Sequence, residues 1–351
     1  MSFKRFEADD FVVSTDAISS TLWSNNSPSL ATLFTSSTQE AGSSGAYYLN
    51  TFQTASTLPS AEVQFAIAYG NSNGSGSINY NPNVNGLSPT STIYGQWQDL
   101  VLGDENTDFT FGTIISNEFF ALPFERARYK DSLFLGSLSL TLSGSLGSIT
   151  ITDNSNYVTS VQFTEAGRVF QLITGSSGVI SPNALNSNGY SANSGSYGWL
   201  LPDIGTIILN PLALSSSVAT GGIGFRWSGS ASGSSAPVVS PNTSMFQAIS
   251  GGMALAGTAN DFFINSQESI TSDFIFVRPR SSEFNYSENP SFISGSTGEV
   301  LFPEFINSPQ TYITTIGLYN DTNQLLAVAK LSRPLPKDFT KEALIRVKLD
   351  F

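Results

Sequence analysis

The sequence predicts an all-β chain built of β-sandwich-like domains with long Ser/Gly/Asn-rich loops. Three observations carry this. About one residue in six is serine, and Gly, Asn and Thr are also abundant, a composition that favours turns and strands over long helices. The run of Ala, Leu, Glu and Lys at a 3.6-residue period that marks an amphipathic helix is nearly absent. Several segments alternate apolar and polar residues at period two instead.

In chain order, Ser27-Pro28 opens a short helical turn through Phe34, with proline at a position where its missing N–H costs nothing. Residues 62–69 place Val63, Phe65, Ile67 and Tyr69 on one side and polar or small residues on the other, the pattern of a half-buried strand. A second short helix is expected over residues 124–134. Residues 133–142 and 147–152 read as strands around Ser143-Gly144-Ser145, a hairpin signal. Residues 312–319 and 324–330 flank the turn tetrapeptide Asn320-Asp321-Thr322-Asn323. At the C-terminus Ile345, Val347, Leu349 and Phe351 point one way, and Leu344, Arg346, Lys348 and Asp350 the other. These last three strands are expected to form one antiparallel unit, with Arg333-Pro334-Leu335-Pro336 as an extended connection.

Three low-complexity stretches, residues 70–92, 175–196 and 228–244, interrupt the strands. Each reads either as a flexible loop or as an arm ordered by a neighbouring subunit, and Tyr80, Tyr190 and Tyr197 would then be contact anchors.

The 351 residues include no histidine and no cysteine. Zinc and copper sites, Ser-His-Asp and Cys-His nucleophiles, haem and iron–sulfur ligation draw on imidazole or thiolate, so an enzyme here would rely on carboxylates, Lys, Tyr, Ser or Thr. No cofactor is expected. Apolar residues make up 40% of the chain, with 26 Phe, enough for a substantial core. The absence of Cys fits folding in reducing cytoplasm. Asp9 and Asp10 stand where a secretory signal would have its apolar region, and the apolar stretch 198–214 is broken by Pro202, Asp203 and Pro211, so membrane insertion is not expected.

Lys and Arg number 15 against 27 Asp and Glu, and they are unevenly placed. None lies between Phe6 and Glu125, whereas residues 330–348 hold six. Either the acidic N-terminal part packs on the basic C-terminal strand, or that strand meets another acidic protein. The first option, with Arg126, Arg128 and Lys130 at the changeover, gives a discontinuous domain of residues 1–130 plus 275–351 and an inserted domain of residues 131–274. Nucleic acid is not an expected partner of so acidic a chain.

Motifs for chemistry are weak. Gly70-Asn71-Ser72-Asn73-Gly74 has the letters of a nucleophile elbow but neither a histidine base nor a following helical pattern. Asp104, Asn106 and Asp108 supply calcium-type oxygens, yet Phe109 and Ile115 occupy the places where an EF-hand needs Gly and Glu. Trp97 and Trp199 are either core plugs or stacking surfaces for sugar. Arg278 and Arg280, followed by Phe284 and Tyr286 and then Asn289-Pro290, have the composition of an interface anchor.

The runs Phe284-Asn285-Tyr286-Ser287-Glu288-Asn289-Pro290, Tyr312-Ile313-Thr314-Thr315-Ile316-Gly317-Leu318-Tyr319 and Lys341-Glu342-Ala343-Leu344-Ile345-Arg346-Val347-Lys348-Leu349-Asp350-Phe351 resemble the ends of virion structural proteins of T-even-like contractile-tailed phages, especially those of cyanobacteria. Leu201-Pro202-Asp203-Ile204-Gly205 and the opening residues 23–39 are similar to that group too. The resemblance implies a tail or baseplate component, assembled in host cytoplasm beside other virion proteins in symmetric copies, with no catalytic residues. The interface would then include Arg278, Arg280, Phe284, Tyr286 and the strand residues Ile345, Arg346, Val347, Lys348 and Phe351. Two other classes stay open: a receptor- or glycan-binding β-module of a tail fibre meeting a host-surface glycan, and a glycan-degrading enzyme using two carboxylates.

Overall fold

The computed structural model describes residues 3–35, 48–74, 90–181, 190–225, 241–255, 261–287 and 289–350. Strands take up 43% of the chain and helices 16%, which places it in the all-β class. Strands β1 (Phe11–Thr21), β2 (Phe34–Thr35), β3 (Tyr48–Phe52) and β4 (Val63–Asn71) lead to helix α1 (Thr90–Leu102). Next come β5 (Phe109–Phe111), β6 (Ile114–Ser116), β7 (Glu118–Pro123), β8 (Ser132–Leu133), β9 (Leu140–Gly144) and β10 (Gly147–Asp153). Then follow β11 (Gln162–Thr164), β12 (Gly167–Ser176), β13 (Val179–Ile180), β14 (Gly198–Leu201), β15 (Thr206–Leu209), and helices α2 (Pro211–Ser215) and α3 (Pro241–Met253). The last elements are β16 (Asn265–Val277), helix α4 (Pro303–Asn307), β17 (Thr311–Tyr319), β18 (Leu325–Lys337) and β19 (Ile345–Asp350).

The chain forms two compact units, Ile18–Glu268 and Met1–Ala17 with Ser269–Phe351. A discontinuous unit containing the C-terminus is thus present, but the division expected at residue 130 differs from this. Segments on both sides of residue 130 share one sheet: β7 pairs with β4 before it and with β15 after it. The charge changeover at Arg126 to Lys130 marks a surface turn.

In the larger unit the sheet runs β2-β3-β4-β7-β15-β14-β12-β10-β9, with β11 and β13 also paired to β12. Alternate residues of the central strands go to opposite cores. Phe65, Ile67, Phe120, Leu122, Leu200, Ile207 and Leu209 join one, and Ala68, Phe119, Ala121, Trp199, Leu201 and Ile208 the other. Apolar side chains at successive positions are what a strand covered on both faces requires. Residues 62–69 are therefore not half-buried: Phe65 and Ile67 face one core, while Ala68 lies under α1 on the opposite face.

Helix α3 fixes the shape of this sheet. It contacts β9 at one end and β3 and β4 near the other. Laid flat, the seven steps from β3 to β9 would span about 34 Å at ~4.8 Å each. A helix of 13 residues is only about 20 Å long. The sheet must curl around it. Ser244, Met245, Ala248, Ile249, Gly252 and Met253 make the buried stripe of α3, and a Cβ on Gly252 would sit 2.0 Å from the Thr141 carbonyl oxygen. On the outer face Thr90, Tyr94, Gln98 and Val101 bury one side of α1, which ends at the left-handed Gly103.

Both longer helices start inside stretches expected to be loops. Their apolar stripes contain Thr, Ser, Gln and Gly, and packing against the sheet outweighs low propensity. Of the two short helices expected, residues 27–34 hold none, the 3₁₀ turn Ser24–Asn26 lying just before them, and residues 124–134 hold only the 3₁₀ turn Arg126–Arg128. A hairpin forms close to the expected place, but β9 runs on through Ser143 and Gly144, Gly144 lies opposite Gly147 with Ser145-Leu146 as the turn, and the strand expected over residues 133–142 is split into β8 and β9.

In the smaller unit β16 pairs with β19 from Ser272 opposite Asp350 to Val277 opposite Ile345, and β1 lies on the other side of β16. Strands β17 and β18 form a separate hairpin around the expected turn, in which Asn320 Oδ1 accepts hydrogen bonds from the Thr322 and Gln324 amides. Ile275, Leu318 and Val347 fill the space between the two sheets. The expected three-strand unit is corrected here. The apolar edge of β19 faces the hairpin as an opposing layer, and its hydrogen-bond partner is β16, about 70 residues upstream. The segment 331–334 is the outward part of a bulge within β18, between Lys330 opposite Thr315 and Leu335 opposite Ile313.

Gly252→Ala is expected to push α3 away from β9 and lower stability by roughly 1–3 kcal/mol. Gly251→Ala, whose Cβ would meet only Ser143 at 3.3 Å, is expected to unfold near the wild-type temperature. Thermal denaturation of the two variants side by side checks this.

Candidate assembly surface

Arg278 and Glu283, just after β16, form a clamp on the N-terminal segment of the same unit. Asp10 is buried, accepts the Glu7 amide at 3.0 Å and lies 3.1 Å from Arg278 Nε. Lys4 Nζ donates to the Arg278 carbonyl at 2.5 Å and to Glu283 at 2.8 Å. Glu283 also accepts the Arg280 amide at 2.9 Å, and the Lys4 hydrogen bond, foremost, holds its carboxyl below the usual glutamate range. Arg278 thereby lies against the N-terminal turn with its side chain still 54% exposed, and Arg280 is exposed as well. Phe284 has a left-handed backbone, φ 57°, rare for an aromatic residue, and its carbonyl accepts Thr311 Oγ1 at 2.7 Å. Tyr286 is exposed.

Lys337 went unnoticed in the sequence. It is fully buried at the end of β18, where its ammonium donates to the Ser281 carbonyl (2.9 Å), Asn285 Oδ1 (2.9 Å) and the Asp338 carbonyl (3.0 Å). Three donors meet three oxygens, so the buried cation is satisfied. These bonds join loop 281–285 to the end of the hairpin. A lysine within a basic run ordinarily reads as surface, and no local pattern distinguishes this one.

On β19, Val347 is buried, Ile345 is half-buried, and Arg346 and Lys348 are exposed, as the alternation requires. Arg346 lies 5.2 Å from the centre of the Phe274 ring, and Lys348 pairs with Asp350 at 2.8 Å. Phe351 and Tyr80 lie outside the described residues. The other two tyrosines expected as arm anchors belong to the larger unit's interior. Tyr197 is buried, donates to the Gly221 carbonyl at 2.5 Å, and burial pushes its hydroxyl up to about 12. The half-buried Tyr190 ring lies directly over Gly112, where a Cβ would come within 2.6 Å. Both tyrosines follow Ser/Gly-rich sequence, which masks their place in the fold.

Trp199 packs between Phe109 and Phe111, with ring centres 5.7 and 5.3 Å away, and is a core plug. Trp97 is half-buried and, with Tyr48, Ala66, Ala68, Ile93 and Pro123, lines a groove of about 410 Å³ on the outer face of the larger unit. Asp104 uses its carboxylate within its own turn, accepting Asn106 and Thr107, which lowers its pKa. Among the described residues no group of three or more acids is placed to hold a metal ion. No helix among them is long and apolar enough to cross a membrane.

The exposed apolar residues of the smaller unit mark a surface of a different kind. Among the described residues its core has three buried apolar side chains with partly buried ones packed against them, yet Phe11, Val12 and Val13 on β1, Tyr312 on β17, and Leu326 and Val328 on β18 are all exposed. Because neighbouring strand residues face opposite ways, β1 is bare on both faces. The one sequence signal for this surface is the lack of Lys and Arg within β1 and in the residues that follow it. Compared with protein-family models, curated proteins and solved structures, the chain matches none.

Lys337→Met is expected to leave the Ser281 and Asn285 oxygens unpaired and cost about 3 kcal/mol, measured by denaturant unfolding. Asp338 accepts the amide and hydroxyl of Thr340 and pairs with Lys341, which lowers its carboxyl from 3.8 to about 2. A lowered folded pKa adds stability that is complete above the unfolded value and is lost as pH falls from about 4 towards 2. In Asp338→Asn this acid-side loss should shrink when denaturant midpoints are compared between pH 5 and about 2.

Proposed function

We propose that the chain is a structural component of a contractile phage tail, at the baseplate or its periphery, and that it works by subunit–subunit assembly with no catalytic step. The observation that carries this reading is the imbalance in the smaller unit, where a thin core is bordered by exposed apolar strands. Such surface is costly in water and is ordinarily covered by a partner. The resemblance of the C-terminal segments to tail proteins supports the same reading. A receptor- or glycan-binding module is the second reading, favoured by the groove between Tyr48 and Trp97, two aromatic walls over an alanine floor.

Quantitative mass spectrometry of purified virions from a phage encoding this chain tests the proposal. The expected result is the chain at a fixed copy number relative to other tail proteins; its absence from intact particles overturns the reading. Glycan-array binding by the isolated chain that is lost in Trp97→Ala would favour the second reading.

A further inference from the structure

The four outer strands of the smaller unit fall into two kinds. Strand β19 carries Arg346, Lys348 and Asp350, and β18 carries Lys330, Arg333, Pro334 and Pro336. Lysine, arginine and proline are what sheets use to stop another strand adding at an edge. Strand β1 has Asp16 as its one charged residue over eleven positions, and β17 has none over nine; neither contains Lys, Arg or Pro. Each sheet thus has one guarded and one unguarded edge. Both unguarded strands bear exposed side chains, 67% for Val13 and 60% for Tyr312.

An open edge offers alternating N–H and C=O groups, which an added β-strand complements. Charge selects among the possible pairings. Exposed Glu7, Asp9 and Asp16 outnumber exposed Arg5 and Arg278 and make the β1 side net acidic, while exposed Lys330 and Arg333 on β18 outnumber exposed Asp321 at the turn and make the hairpin side of β17 net basic. Pairing β1 with another β1 would gather acids, and pairing β17 with another β17 would gather bases. Pairing β1 with β17 brings opposite charges together.

We infer that copies of this chain join head to tail, the β1 edge of one copy adding to the β17 edge of the next. This rests on the assembly reading above and names its partner, a second copy. A heterologous contact of this kind closes into a ring when the rotation between copies permits and otherwise extends as a filament.

The test uses the full chain with an edge-guarding lysine placed at each exposed position, Val13→Lys and Tyr312→Lys, with circular dichroism to confirm that both variants fold. Mass is read by light scattering at up to about 100 μM, where micromolar contacts are populated. Wild type is expected to form species larger than a dimer, and each variant alone to associate at least about tenfold more weakly. Mixed, the two variants should give a one-to-one dimer and nothing larger, because Val13→Lys keeps an intact β17 edge and Tyr312→Lys an intact β1 edge. A wild-type chain that stays monomeric overturns the inference, as does association lost in Val13→Lys but intact in Tyr312→Lys, which would mean β1 pairing with itself. Either result leaves the virion measurement free to succeed, so failure here is distinguishable from failure of the assembly reading.

Discussion

Burial of one long sheet on both faces is the constraint on which the larger unit depends. The longest helix on the inner face, α3, has only 13 residues, so the strands curl until both ends of the sheet reach it, and α2 with the segments around Trp23 and Phe262 fills the rest of that core. That closeness removes any room for a side chain at Gly252, and it makes the inner core aromatic-rich, with Phe65, Phe124 and Phe262 in mutual ring contact and Trp23 against the last two. The outer face is covered more economically, by α1 and the β5–β6 hairpin, whose Phe109 and Phe111 press on Trp199. Each fully buried Phe or Leu contributes about 2 kcal/mol.

The smaller unit is held by different means. Three apolar side chains lie at its centre, and around them stand polar clamps: Arg278 on Asp10, Lys4 on Glu283, and the Lys337 ammonium among three oxygens. Directional contacts of this sort fix a conformation firmly while hiding little apolar surface. Stability and stickiness are thereby separated, since the clamps order the strands and the apolar side chains stay available at the surface.

Local signals in the sequence were the most legible. The hairpins near Ser143 to Ser145 and at Asn320 to Asn323 and the alternation of Ile345, Val347 and Leu349 each depend on residues a few positions apart. What required distant chain segments was misread. Ala66 and Ala68 look like the wet side of a half-buried strand, yet they are small because α1 and the groove lie over them. The partner of the C-terminal strand is β16 rather than the adjacent hairpin, a choice between two geometrically equivalent edges that no local pattern encodes. Tyr197 sits in low-complexity sequence and is nevertheless core, because the Gly221 carbonyl that receives its hydroxyl lies 24 residues on. At the candidate surface, composition pointed to the C-terminal strand through its charges. In the folded unit those same charges guard an edge, and the open edges are the quiet strands β1 and β17.

Strand order also sets a schedule. The β17–β18 hairpin closes over a five-residue connection, but β1 is made some 250 residues before its partner β16. At ~5–20 residues per second that is a delay of roughly 10–50 s, during which an unguarded strand waits in a crowded cell beside other nascent copies. Five of the eleven residues of β1, Ser14, Thr15, Ser19, Ser20 and Thr21, carry hydroxyls, which lowers the apolar content of the strand over that interval.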